Sequence, residues 1–168
     1  MALSMPINLN AWIEENRALL QPPVGNVCLH NSHFLVMVVG GPNARTDYHV
    51  NPGEELFYQV QGDVVLKVIE DGKPRDVPIR QGELFLLPAG VPHSPQRPAG
   101  TVGLVVEQPK AHTADHHLRW FCKNCGSVLH DVAFQPVDLG KQIKAMLQEF
   151  ASRVDLRTCK NCGTVQGA

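Results

Sequence analysis

The sequence predicts an all-β protein, a jelly-roll barrel preceded by a short helix and followed by a small helix-containing tail. Three observations lead there. From His33 to about Glu107 the chain is a series of short β-rich apolar runs separated by Gly and Pro. Asp71-Gly72 lies between two of those runs, a dipeptide suited to a tight hairpin. Helical periodicity is confined to the two ends of the chain, which leaves the middle to strands packed as a sandwich or barrel.

The first element is a helix for which Asn10 can serve as N-cap. Trp12, Ile13, Leu19 and Leu20 supply its apolar positions, and Gln21-Pro22-Pro23 ends it, since proline cannot continue the hydrogen-bond ladder. The strands expected next are Phe34–Val39, Leu56–Val60, Val64–Ile69, Glu83–Leu87 and Val102–Val106, with turns at Gly62, Gly82 and Gly90. After Pro109 the texture changes. Ala111–His117 is polar, rich in histidine, and reads as a linker. A helix is expected from about Leu139 to Ser152, because Ile143, Met146, Leu147 and Phe150 recur at steps of three and four after Val137-Asp138. The chain therefore divides into a barrel over 1–110 and a C-terminal extension over 111–168.

Composition excludes several classes. The chain has 168 residues, 43% of them apolar and 18% charged, enough for one well-cored domain with an appendage and unlike a disordered chain. A net charge of −1 offers no basic surface for nucleic acid or an anionic membrane. No apolar run approaches the roughly 20 residues of a membrane span. The N-terminus lacks a basic region followed by an apolar one, so a cytoplasmic location is expected. There an odd set of five cysteines argues for metal or free thiols over disulfides.

Four of those cysteines form a duplicated pentapeptide, CKNCG, at 122–126 and 159–163. A C-x-x-C turn aims two sulfurs at one point, and the glycine that follows lets the chain fold back so that amides reach the thiolates. Cys122, Cys125, Cys159 and Cys162 would enclose Zn(II) or a single iron tetrahedrally, with no open position, so the site is structural or at most electron-transferring. Cys28, the fifth, is expected to be a packed core residue.

A second constellation lies within the barrel. His49 and Glu55 flank the turn Asn51-Pro52-Gly53, and His93 follows another at Pro88 and Gly90. Two imidazoles and a carboxylate form a facial triad suited to non-haem Fe(II), leaving adjacent positions for a chelating substrate and O2. The remaining histidines, His30, His33, His112, His116, His117 and His130, read as surface or packing residues.

These two segments resemble the paired cupin motifs, through Gly41, Asp47, His49, Glu55 and Gly62 in the first and Gly82, Pro88, Gly90 and His93 in the second. Asp47 stands where many cupins carry a first histidine ligand, and His49 and Glu55 are further apart than usual, which argues for three ligands rather than four. The strings GGPNARTDYH, EELFYQ, LLPAGVPHSPQRP and LVVEQ, followed by the two cysteine pairs, are similar to the bacterial 3-hydroxyanthranilate 3,4-dioxygenase family over nearly the whole chain.

The resemblance implies a catalytic Fe(II) on His49, Glu55 and His93, and iron or zinc on the four cysteines. It implies substrate-carboxylate binding by Arg45 and Arg97, and an acid/base role for Glu107, which also touches substrate. The implied reaction consumes a small aromatic amino acid derivative, 3-hydroxyanthranilate, and O2. The product, 2-amino-3-carboxymuconate semialdehyde, cyclises to quinolinate, which places the reaction in tryptophan catabolism by the kynurenine pathway or in NAD biosynthesis. A homodimer is expected by analogy of fold. Two alternatives stay open at this level: a cupin oxygenase for another catechol-like or thiol substrate, and a non-enzymatic cupin sensor whose zinc-ribbon tail binds a partner.

Overall fold

In the computed structural model, which describes residues 5–22, 25–43, 45–108, 115–135 and 139–167, the chain enters through helix α1 (Leu9–Glu15). Its cap is Asn8 and not Asn10: the Asn8 side chain accepts from the Ala11 amide at 3.1 Å, the reach an N-cap needs. Starting there places Leu9, Trp12 and Ile13 together against the barrel. Asn16 closes the helix by donating from Nδ2 to the Trp12 carbonyl at 2.8 Å, and a single tighter turn, Arg17–Leu20, follows. Pro23, expected to end this segment, lies outside the described residues.

Eleven strands are described. They are β1 (Asn26–Asn31), β2 (Leu35–Gly40), β3 (Tyr48–Val50), β4 (Glu55–Gln61), β5 (Val64–Glu70), β6 (Lys73–Ile79), β7 (Leu84–Leu87), β8 (His93–Gln96), β9 (Val102–Glu107), β10 (His116–Phe121) and β11 (Val128–Phe134). They form two antiparallel sheets, β1-β2-β9-β4-β7 and β11-β10-β3-β8-β5-β6. The β5–β6 hairpin turns at Asp71 (φ 50°) and Gly72 (φ 74°), and both positive values are what a two-residue type I′ turn requires. Helix α2 (Leu139–Ser152) has the expected bounds and is followed by the short α3 (Val154–Arg157).

Alternation along the strands decides which face is which. Met37, Phe57, Leu87 and Val105 from the first sheet meet Val64, Leu66, Val68 and Ile79 from the second, and these buried side chains fill the space between the sheets. The intervening Val38 and Val102 face outward, where Ile13 of α1 and Leu20 of the tighter turn after it cover them. A third cluster, Leu118, Trp120 and Phe150, joins β10 to α2; Trp120 and Phe150 lie nearly parallel with ring centroids 4.4 Å apart.

The sequence reading differs from the structure after Pro109. His116 and His117, taken as linker, belong to β10, because the alternate burial of Leu118, Trp120 and Cys122 extends back to His116. The boundary at 110/111, His112 and Val137-Asp138 lie outside the described residues. β10 and β11, both from the C-terminal segment, continue the second sheet beyond β3.

Candidate metal centres

His49 on β3 and His93 on β8 are cross-strand partners in the second sheet. Glu55, the first residue of β4, faces them from the other sheet. All three are at most 5% exposed. The turn that delivers Glu55 is held by Asn51: its Oδ1 accepts from the Gly53 amide at 2.8 Å, and its carbonyl accepts from the Gly90 amide at 2.8 Å. One residue, through its side chain on one side and its backbone carbonyl on the other, thus ties together the two turns that flank the ligand set.

Glu55 Oε1 lies 3.4 Å from His49 Nδ1 and 3.3 Å from His93 Nε2. The three ligand atoms fall within 4.8 Å of one another, so the group could hold a metal ion. Glu55 Oε1 is also buried without a hydrogen-bond partner, a costly state for a carboxylate unless a cation completes it. Burial pushes the His49 imidazole down to about 3, against the opposing pull of Glu55, so His49 is neutral at physiological pH. Burial alone would raise Glu55, but His93 and then His49 hold it at about 2. Burial would lower His93 as well, yet the Glu55 carboxylate raises it. His93 Nδ1 donates to the Val91 carbonyl at 3.1 Å, which leaves the Nε2 lone pair directed at Glu55.

Glu107 ends β9 directly opposite Glu55 on β4 and is 4% exposed. Asn51 Nδ2 donates to its Oε2 at 3.1 Å. Burial, and then the Glu55 charge, push the Glu107 carboxyl well above the usual range. Arg97, just after β8, is 3% exposed; its NH1 donates to Gln59 Oε1 at 3.3 Å while its Nε has no partner. Burial and the nearby Arg45 bring Arg97 down to about 10, which leaves it a cation at neutral pH.

Gly103 on β9 makes room for that guanidinium. A Cβ there would stand 2.8 Å from Arg97 NH1 and 2.9 Å from Gln59 Oε1. Gly103→Ala should therefore fold but displace Arg97; if Arg97 binds a substrate carboxylate, KM should rise with a smaller change in kcat. An unchanged KM in steady-state assays would contradict that role of Arg97.

Arg45 is paired with the fully buried Asp47, with Nε 3.0 Å from Oδ1 and NH2 closing the fork. The residue that stands where many cupins carry a first histidine ligand thus faces an arginine, in keeping with the three-ligand expectation. Arg45 also lines a cavity of about 660 Å³ with Asn43, Trp120, Lys144 and Leu147.

Two further sequence expectations change. His116, read as a surface or packing residue of the linker, is buried with Nδ1 2.9 Å from His49 Nε2. Cys28, expected in the core, is exposed on β1, where its thiol donates to the His30 carbonyl at 3.1 Å. The outer strand β1 turns that side chain to solvent. His30 and His33 are exposed, as expected. His117 pairs with Asp131 at 2.9 Å, and His130 packs on Trp120.

The four cysteines come together at the other end of β10. Cys122 and Cys162 Sγ are 3.6 Å apart, as are Cys125 and Cys159. A tetrahedron with metal–sulfur bonds of about 2.3 Å has edges of about 3.8 Å, so the spacing fits one metal and is far too long for disulfides. The two knuckles match. The Gly126 amide donates to the Cys122 carbonyl and the Gly163 amide to the Cys159 carbonyl, each at 2.8 Å, with φ 73° at both glycines. Each knuckle's asparagine reaches the other's sulfur: Asn124 Nδ2 to Cys162 and Asn161 Nδ2 to Cys125, both 3.6 Å. Hydrogen bonds from Thr164 and Asn124 lower the Cys162 thiol to about 5, favouring the thiolate a metal needs.

Two facing antiparallel sheets enclosing a His, Glu, His cluster define a metal-binding β-barrel of the cupin class. A model of the 3-hydroxyanthranilic acid dioxygenase family matches residues 1–151. Two fungal relatives carry the name 3-hydroxyanthranilate 3,4-dioxygenase. The Neurospora crassa protein is 52% identical over 97% of this chain and 91% of its own. The Scheffersomyces stipitis protein is 53% identical over 97% and 96%. A bacterial relative of the same name, from Xanthomonas campestris, is 48% identical over 97% and 93%. The chain belongs to the 3-hydroxyanthranilic acid dioxygenase family.

Proposed function

We propose that this chain opens the ring of 3-hydroxyanthranilate with O2 at an Fe(II) held by His49, Glu55 and His93. The carrying observation is the buried Glu55 Oε1, without a hydrogen-bond partner and set between two imidazoles, inside a barrel that also buries Arg97 with a free Nε. Held by His49, Glu55 and His93, Fe(II) would supply Lewis acidity towards the substrate's ortho amino and hydroxyl groups and the one-electron chemistry that O2 requires.

The protein's own groups do the rest. Arg97 takes the substrate carboxylate with the Nε edge that nothing else uses, and Arg45 shares it at the cost of loosening Asp47. Glu107 handles the phenolic proton. With Glu55 neutralised by its metal, burial alone opposes ionisation of Glu107, and the Asn51 hydrogen bond favours the anion. The ring bond between the hydroxyl-bearing carbon and its unsubstituted neighbour breaks, and both atoms of O2 stay in 2-amino-3-carboxymuconate semialdehyde. Loss of water on cyclisation then gives quinolinate.

The test is direct. The chain loaded with Fe(II) and given 3-hydroxyanthranilate in air should consume it and develop the near-ultraviolet absorbance of a conjugated aldehyde. Preference for a thiol or for a catechol lacking the carboxylate would instead favour the broader cupin-oxygenase reading.

The cysteine site holds iron or zinc in a closed, structural role. Cys122→Ser should lower Tm by roughly 10 °C, as loss of a few kcal/mol does in a chain of this size, yet leave measurable turnover. Complete loss of turnover in a still-folded variant would assign that metal a part in the reaction. The proposal extends to a cytoplasmic homodimer. The outward side chains Leu84 and Leu86 on the edge strand β7 and Tyr58 beside them on β4 form an exposed apolar patch. Light scattering should give twice the chain mass, and Leu84→Lys should halve it.

A further inference from the structure

His116 begins β10, the strand that runs from the barrel to the cysteine site. Alternate residues along it, His116, Leu118, Trp120 and then Cys122, are buried. Leu118 is the cross-strand partner of His49, so His116 projects beside the ligand set on the same face. Its Nδ1 lies 2.9 Å from His49 Nε2. The ring centroids are 5.1 Å apart with planes 21° from parallel. With the nitrogens that close and the centroids that far apart, the rings meet edge to edge in a nearly common plane, the geometry of an N–H···N hydrogen bond.

Both nitrogens of His49 are thereby assigned. Nδ1, 3.4 Å from Glu55 Oε1, faces the metal position, so the ring proton sits on Nε2, with His116 Nδ1 as its acceptor. His93 has the converse arrangement, with its proton on Nδ1 directed at the Val91 carbonyl and Nε2 towards Glu55. One ligand ring is thus pinned by backbone and the other by a second imidazole. Phe134, the partner of His116 on β11, packs against both rings, with centroids 5.8 Å from His116 and 6.4 Å from His49.

We propose that His116 is the positioning residue of His49: it accepts the Nε2 proton, fixes the tautomer and ring orientation that aim Nδ1 at the metal, and so sets the barrel's affinity for iron. This rests on the reading of His49 as a ligand. It also gives the C-terminal segment a task in the barrel. Cys122 anchors the far end of the same strand, roughly 20 Å from His116 at a strand's rise per residue.

The test uses the full-length chain with Fe(II) in competition with a chelator, and Co(II) as a spectroscopic probe. Thiolate charge-transfer bands report the cysteine site, and weaker ligand-field bands report the barrel. His116→Leu should weaken barrel iron binding by roughly 10- to 100-fold, the range for lost partners of metal-bound histidines, and shift the ligand-field bands without altering the thiolate bands. His116→Asn places an amide oxygen where Nδ1 stood and should restore most of the affinity; His116→Gln, whose amide sits one carbon further out, should not. Wild-type affinity in His116→Leu overturns the proposal, as does an Asn variant no better than the Gln variant, and the latter comparison stands even if the Leu variant does not fold. His49→Ala separates the two readings. If it keeps barrel iron the ligand assignment fails; if it loses iron while His116→Leu does not, only the positioning role fails.

Discussion

Glu55→Ala should empty the barrel of iron and abolish turnover together, while the cysteine site stays loaded. Glu55 is the only anionic member of the ligand set and the only one contributed by the first sheet. Without it two neutral imidazoles from neighbouring strands remain, too weak a donor set to hold Fe(II) against hydration. The variant gives up the attraction of His93 and His49 that holds the Glu55 carboxyl at about 2, together with any metal in the barrel, so its Tm should fall while the two sheets still pack. Metal analysis should fall to the content of the cysteine site alone. Full turnover by this variant would refute the ligand assignment.

Arg97→Ala comes next in size. Its guanidinium is buried, remains a cation at neutral pH, and has an unused Nε edge inside the barrel. Truncating one member of a desolvated charge pair costs about 2–5 kcal/mol, so kcat/KM for 3-hydroxyanthranilate should fall by roughly thirty- to several-thousand-fold. Arg97→Lys should recover little of that, since an ammonium cannot present two parallel donors to a carboxylate. Barrel iron content should not change in either variant. The decisive comparison is 2-aminophenol, which lacks the carboxylate: its turnover should be almost insensitive to Arg97→Ala. An equal loss on both substrates would mean that Arg97 serves the fold and not the carboxylate.

Much of this was readable from the sequence because the informative residues sit next to strong local signals. The ligands flank Pro and Gly turns, the cysteines come as a repeated pentapeptide, and the period of Ile143, Met146, Leu147 and Phe150 marks α2. What escaped lacked such signals. β6 carries Lys73, Pro74, Arg75 and Asp76 because it is an edge strand with much of its surface in water. β8 is four residues long and contains a proline, so its pattern is too short to read.

The partners of the site are remote in sequence. His116 meets a histidine 67 residues away, and its polar neighbours Asp115 and His117 disguised a buried strand position as linker. The role of Gly103 depends on an arginine brought over it by strand packing, and glycine in an apolar run gives no hint of that. Asp47 stood out as a departure from a ligand pattern, but only the folded chain shows that it faces Arg45.

The most direct measurement is oxygen stoichiometry. Fe(II)-loaded protein turning over 3-hydroxyanthranilate in an oxygen electrode should consume one O2 per substrate and release no hydrogen peroxide, with the rate lost in Glu55→Ala. No oxygen uptake, or uptake matched by peroxide release, would contradict a ring-opening dioxygenase at this centre.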